Sequence, residues 1–193
     1  MDEPQIETQS IVDFAKMDFQ VRQNIPSVTQ EESLFSTRPE MLIAMFICER
    51  IYEDEIIIIS GANKLMNYEG YFYSFKFEKI NENAYKNYNN NLNENVLALD
   101  ATMFDHYMNK RIEQDISKYY IVSEDCKNKF KNRGISTGSL GCGAFDWDRA
   151  YKFLQSIICA KANNVKLSFS TFGNEKYWES LKELYQCVIN KNK

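Results

Sequence analysis

Two short runs in this chain, EIIIIS from Glu55 and VLALDA from Val96, are apolar at successive positions rather than alternate ones. A strand with water on one face alternates, whereas a strand covered on both faces need not. Both runs are too short for an ordinary helix, so they read as interior strands of a sheet with helices on either side. The rest of the chain fits that frame. SIVDFA (10–15) reads as a further short buried strand, and VKLSFSTFGN from Val165 as a strand ending in a turn. GYFYSFKFEKI from Gly70 alternates, with Tyr71, Tyr73, Phe75 and Phe77 on one side, which predicts a strand with one buried face. Helices are predicted over 39–52, where Pro39 suits a first turn and Leu42, Met45, Phe46 and Glu49 mark successive turns. A polar helical stretch covers roughly 104–131. Phe153, Leu154, Ile157, Ile158 and Ala162 mark another helix, and Trp178, Leu181, Leu184, Tyr185 and Val188 one face of the last. The expected class is α/β, a three-layer α/β/α sandwich around a mixed sheet, in one domain over 1–193 with an exposed asparagine-rich loop at 81–95.

Composition removes several function classes. A net charge of −4 and a pI near 5.2 argue against direct DNA binding, while leaving room for a local cationic pocket. One histidine, His106, and five scattered cysteines without a C-x-x-C pair leave no zinc site, and no metal or cofactor is expected. His106 is expected to be a structural or surface residue. Reduced cysteines, no basic-then-apolar leader and no membrane-length apolar run point to the cytoplasm or nucleus rather than secretion or a membrane.

Two stretches carry chemistry. Four of the seven glycines fall between Gly134 and Gly143, just ahead of a periodic helix. Bare backbone leading into a helix start suits a phosphate, but the pattern is neither G-x-G-x-x-G nor a P-loop, and a tight packed turn reads equally well. QEE at 30–32 precedes another helix; alone it also reads as a solvated first-turn acidic pair facing the helix dipole.

Further motifs join these two. VDFA (12–15), TQEE (29–32), GYFYSF from Gly70, ALDATMF from Ala98, TGSLGCGAFDWD from Thr137 and STFGN from Ser170 occur in this order. The set resembles the catalytic macrodomain of the poly(ADP-ribose) glycohydrolases over nearly the whole chain. The resemblance implies that Gly138, Gly141, Cys142, Gly143, Ala144 and Phe145 wrap the diphosphate of ADP-ribose. It implies that Tyr71 and Phe172 contact adenine and the terminal ribose, and that Asp13 lies near the nucleotide or serves the fold. It implies that Glu32 is the acid and then the base, that Glu31 positions ribose hydroxyls, and that Gln30 orients them. The implied partners are ADP-ribose or its polymer on modified proteins, and the expected state is a monomer.

The chain also departs from the family pattern. Lys16 stands where the family has Asn, and Gln20-Val21-Arg22 where it has Gly-Gly-Gly. Val21 resists the positive φ that glycine accepts, while Arg22 and Lys16 either supply charge to the diphosphate or face solvent. Ser139-Leu140 replaces Asn-Trp, and Asp146-Trp147 replaces Gly-Gly. The family's preceding helical region is not expected here. Three functions follow: a hydrolase of ADP-ribose chains, a non-catalytic ADP-ribose reader or decoy, or a scaffold binding another nucleotide or nothing.

Overall fold

The structure, a computed structural model, describes residues 10–19, 28–82, 84, 94–130 and 134–190. Among these residues the main sheet has five strands in the order β2 (Ile57–Ser60), β5 (Asn95–Leu99), β1 (Ser10–Phe14), β6 (Ile135–Thr137) and β7 (Leu167–Phe169). Strands β5, β1, β6 and β7 run parallel, and β2 joins β5 antiparallel, so the sheet is mixed. Two further strands, β3 (Met66–Glu69) and β4 (Lys76–Ile80), form a separate antiparallel pair.

Side-chain alternation along β1 and β5 divides the core. Val12, Leu97 and Leu99 pack on one face with Tyr119, Val122 and Cys126 of helix α3 (Asn109–Asn128) and Cys159 of α4 (Arg149–Ala162). Ile11, Val96 and Ala98 pack on the other with Leu34 and Phe35 of α1 (Gln30–Thr37), and with Phe19, Met41 and Ile51. A sheet covered on both faces by helices is the expected three-layer α/β/α arrangement. The last helix, α5 (Glu175–Asn190), packs beside α4. Because four strands are parallel, their carboxyl ends share one edge, where open α/β sheets place ligands.

Four expectations need correction. Among the described residues the EIIIIS strand is an edge and not an interior strand; it pairs there with β5 alone and its isoleucines are half-buried. The helix expected over 39–52 is a 3-10 turn (Pro39–Ile43) followed by the short α2 (Ala44–Ile47). It stops because the following chain is drawn back to residues 17–19, through Phe19 N–H to Glu49 O at 3.3 Å and Ile51 N–H to Met17 O at 2.8 Å. Residues 70–75 form a turn, with Gly70 and Phe72 at φ 79° and 60°, and a Cβ on Gly70 would stand 2.0 Å from Ser74 O. The alternating face expected there is not buried, since Tyr73 and Phe77 are exposed. On α5 only Leu181 of the expected stripe is buried, and Trp178 and Tyr185 are exposed. Most of the asparagine-rich stretch, 83 and 85–93, lies outside the described residues, while Asn95 is buried in β5.

The apparently polar helix α3 is polar inside. Lys118 pairs with Asp100 at the end of β5, and Lys152 of α4 pairs with Asp115 of α3, all four groups being buried. Asp115 also accepts from the amide and hydroxyl of Thr102, each at 3.2 Å. Burial pushes the Asp100 carboxyl up and pulls the Lys152 ammonium down, each opposed by its partner's charge and hydrogen bond. This network underlies the edge where Ala101 and the glycine loop meet. Among the described residues no helix is long and apolar enough to cross a membrane.

Candidate active site

A cleft of about 590 Å³ opens at the carboxyl edge of the parallel strands. Its walls come from Phe14–Lys16 after β1, Thr29–Glu31 at the start of α1, Tyr71 and Phe72, Ala101 after β5, Ser139–Phe145 after β6, and Arg149 and Phe172. The cleft therefore gathers seven separate stretches of sequence, including most residues singled out above.

The start of α1 holds the carboxylates. Gln30 is clamped to β1, donating Nε2–H to Val12 O and accepting the Phe14 N–H at Oε1, both at 2.8 Å. That clamp fixes the two glutamates that follow. They are not a solvated pair: Glu31 is 2% exposed and Glu32 7%. Glu31 Oε1 accepts the Lys16 N–H at 3.2 Å, and among the described residues no hydrogen-bond partner meets its buried Oε2. Burial pushes the Glu31 carboxyl up to about 7, against the amide and charge of Lys16. Glu32 is engaged at both oxygens, Oε2 with the Thr29 N–H at 3.0 Å and Oε1 with Lys16 Nζ at 2.9 Å. The first contact is the carboxylate half of a capping box. Lys16 Nζ also lies 3.6 Å from Glu31 Oε2, so a single ammonium bridges the two carboxylates. Burial works against that ammonium, but the hydrogen bond and charge of Glu32 and the charge of Glu31 raise its pKa overall. Glu31 and Lys16 line the cleft, whereas Glu32 is not among the lining residues.

Asp13 lies fully buried on the opposite side of β1 from Phe14, away from the cleft wall, and among the described residues neither of its carboxyl oxygens has a hydrogen-bond partner. Burial, with Glu31 and Glu32 nearby, raises its pKa well above the usual carboxylate range.

The glycines of the loop differ in what they do. Gly141 has φ 75°, and a Cβ there would lie 2.6 Å from Ala101 Cβ, so the fold itself demands glycine. Gly138 is packed behind the loop against Phe14 and Ser170 and is not on the cleft wall. A Cβ at Gly143 would meet nothing within 4 Å, yet Gly143 lines the cleft. Its bareness serves the empty space rather than the packing. Burial raises the Cys142 thiol to about 11, so it stands as a thiol and not a thiolate.

Tyr71 and Phe172 face each other with ring centroids 6.2 Å apart. Burial raises the Tyr71 phenol, followed by the charge of Glu32, while a backbone hydrogen bond from Gln30 lowers it. Its hydroxyl thus reaches the start of α1. Phe72 is tied to Val28 by paired backbone hydrogen bonds of 2.9 and 3.3 Å, which hold the turn against the segment leading into α1. Among the described residues no cluster of three histidine, cysteine or acidic side chains suits a metal.

The sequence profile described as Poly (ADP-ribose) glycohydrolase (PARG), Macro domain fold, matches residues 2–179. The chain belongs to the PARG family. Poly(ADP-ribose) glycohydrolases 1 and 2 of Caenorhabditis elegans are 29% and 26% identical to it over 179 residues, covering 84% of the chain. The chain spans only 23% and 37% of those two proteins' lengths. Among solved structures, the Oceanobacillus iheyensis macrodomain with ADP superposes over 96% of this chain and 87% of its own, with TM-score 0.62 and 14% identity. A poly(ADP-ribose) glycohydrolase from Deinococcus radiodurans in complex with ADP-ribose superposes over 93% and 75%, with TM-score 0.58 and 11% identity. At these identities the superpositions establish the macrodomain fold.

Of the departures from the PARG pattern, Lys16 lies within the cleft and binds the glutamates, whereas Gln20-Val21-Arg22 lies outside the described residues. Sequence reasoning missed Arg149. It lines the cleft beside the glycine loop, with its guanidinium 5.6 Å from the centre of the Tyr177 ring. The signal was present: Arg149 opens α4, where a cation opposes the helix dipole. A side chain that breaks a local rule at a ligand-facing position is a functional candidate.

Proposed function

We propose that the cleft binds ADP-ribose and that this PARG-like macrodomain, spanning 1–193, hydrolyses the ribose–ribose bonds of ADP-ribose chains on modified proteins. The observation that carries this reading is the buried Glu31–Glu32 pair standing beside the same cleft as the bare Gly143 backbone. Diphosphate lies against the 139–145 loop, where backbone amides and the start of α4 supply positive potential. Gly141, Cys142, Gly143, Ala144 and Phe145 form that wall, Gly138 supports it, and Arg149 adds a guanidinium. Arg22 is a second candidate cation. Tyr71 and Phe172 take adenine and ribose.

Glycoside cleavage passes through an oxocarbenium-like state that needs an acid for the leaving oxygen and a base for water. Glu32 hands its proton to the departing ribose oxygen as the C–O bond breaks. Water then adds to the positive carbon and returns a proton to Glu32. Glu31, titrating near 7, holds ribose hydroxyls as acceptor or donor. Gln30 keeps both carboxylates in register with β1. Asp13 supports this region from beneath. The five free cysteines favour a reducing compartment, cytoplasm or nucleus.

A second reading, an ADP-ribose reader that does not turn over, is favoured by one observation: both oxygens of Glu32 are already engaged. Incubation with automodified polymerase, followed by detection of free ADP-ribose, separates the two. A hydrolase releases ADP-ribose, and Glu32→Gln removes that release while keeping ADP-ribose affinity within about tenfold, because the amide cannot shuttle a proton. No release by the parent, with ADP-ribose still bound, establishes the reader.

A further inference from the structure

A second depression, of about 560 Å³, adjoins the cleft and shares Ala144 and Phe145 with it. Its other wall is residues 103–107 of the 103–108 loop, where Met103, Phe104 and Tyr107 are 46, 71 and 67% exposed. Isolated exposed apolar side chains are ordinary, but a contiguous cluster beside a ligand cleft marks a contact surface.

This surface is rigidly built. The His106 ring stacks on Trp147 with centroids 4.2 Å apart and planes at 15°. His106 Nε2 lies 3.1 Å from Met103 O, and the Met108 N–H bonds to Asp105 O at 2.9 Å. Trp147 is buried and donates Nε1–H to Thr102 O at 2.8 Å, and Tyr107 meets it edge-on at 6.1 Å. Trp147 is one of the residues standing where the family pattern has glycine, so this chain's own departure carries the loop.

We propose that the 103–108 loop and Phe145 form a subsite for the adenosine of the neighbouring unit of an ADP-ribose chain. The inference rests on the proposed function. Three features select adenosine. Exposed rings stack on any base without reading its edge. Asp105 and Asp146 line the depression and accept hydrogen bonds from an exocyclic amine or ribose hydroxyls. The same two carboxylates repel a diphosphate, which leaves the base and its sugar as the fitting part. Continuity through Ala144 and Phe145 lets one chain occupy both spaces.

The test uses the full chain carrying Glu32→Gln, so that substrate survives, and calorimetry with ADP-ribose and with two linked ADP-ribose units. The dimer should bind about 5- to 150-fold more tightly than the monomer, the span expected for one stacked base. Adding Phe104→Ala and Tyr107→Ala should abolish that gain while leaving monomer affinity within about twofold. Phe104→Trp should retain it, and thermal unfolding of each variant checks the fold. Monomer binding without preference for the dimer overturns the subsite alone. A dimer preference that survives loss of both rings also overturns it. An equal loss of affinity for a singly ADP-ribosylated peptide assigns the surface to the modified protein instead and overturns the adenosine proposal. No binding of ADP-ribose by the parent overturns the proposed function and the subsite together.

Discussion

Lys16 and Glu32 meet end to end, with the ammonium Nζ 2.9 Å from Oε1 of the carboxylate. The lysine side chain is 44% exposed, so the pair is a partly solvated lid on a buried acid. Such a pair contributes ~1 kcal/mol or less to stability. Its effect on chemistry is larger, because Glu32 cannot protonate a leaving oxygen while Oε1 holds an ammonium. Lys16→Asn should therefore raise kcat on ADP-ribose polymer, with ADP-ribose affinity within about threefold. Initial rates of ADP-ribose release measure it, and an unchanged or lower kcat removes Lys16 as an obstacle.

Glu31 predicts a pH dependence of stability. Its carboxyl titrates near 7 in the folded protein, against an ordinary value of 4.5. Between those values the folded state holds a proton that the unfolded state has released, so stability falls as pH rises from about 4.5 to 7. The group's share is on the order of 3 kcal/mol. Glu31→Gln should flatten this part of the curve and stabilise the protein at pH 8. Urea unfolding at pH 5 and pH 8 measures it; parallel curves for variant and parent would show that Glu31 ionises normally.

The loop glycines should separate into fold and ligand roles. Gly141→Ala places a left-handed residue against Ala101 and should cost about 1–3 kcal/mol of stability. Gly143→Ala fills open space and should leave stability within ~0.5 kcal/mol while reducing ADP-ribose affinity at least tenfold. Thermal unfolding paired with calorimetry reads both quantities. A Gly143→Ala protein that binds as tightly as the parent would place the ligand elsewhere.

Arg149→Ala should weaken ADP-ribose binding by about 1.5–3 kcal/mol, as for a lost hydrogen bond to a charged group. Removing a cation from the first turn of α4 should leave stability unchanged or slightly higher. A fall in stability with affinity intact would make the residue structural.

Much of this arrangement was legible because the signals were local. VLALDA reads as a strand buried on both faces because both faces are apolar, and β5 is that strand. The ordered motifs anticipated residues that do line one cleft, among them Glu31, Tyr71, Gly143, Phe145 and Phe172. What misled was burial that composition does not encode. Ile57–Ile59 look interior but sit at an edge, since an edge strand with half-buried faces also favours β-branched residues. The apolar count over 39–52 suggested a helix, but pairing with residues 17–19 unwinds it. Asp115 and Lys118 made α3 look solvated because their mates, Lys152 and Asp100, lie far along the chain. The Lys16 bridge was invisible for the same reason, as sixteen positions separate Lys16 from Glu32.

The two buried ion pairs beneath the cleft restrict how this protein can diverge. Losing one charge of such a pair strands its mate and costs about 3–5 kcal/mol, while replacing both with apolar groups is close to neutral. Drift at Asp100 and Lys118, or at Asp115 and Lys152, must then proceed by paired steps that pass through a poorly folded intermediate. Ala101 and Thr102 lie between Asp100 and the pair below, and Trp147 rests over Lys152. The floor of the cleft is thereby tied to a slow evolutionary clock. Its walls, built from loops that bear no such debt, are free to change first, and three of the chain's departures from its family, Lys16, Ser139 and Leu140, lie there.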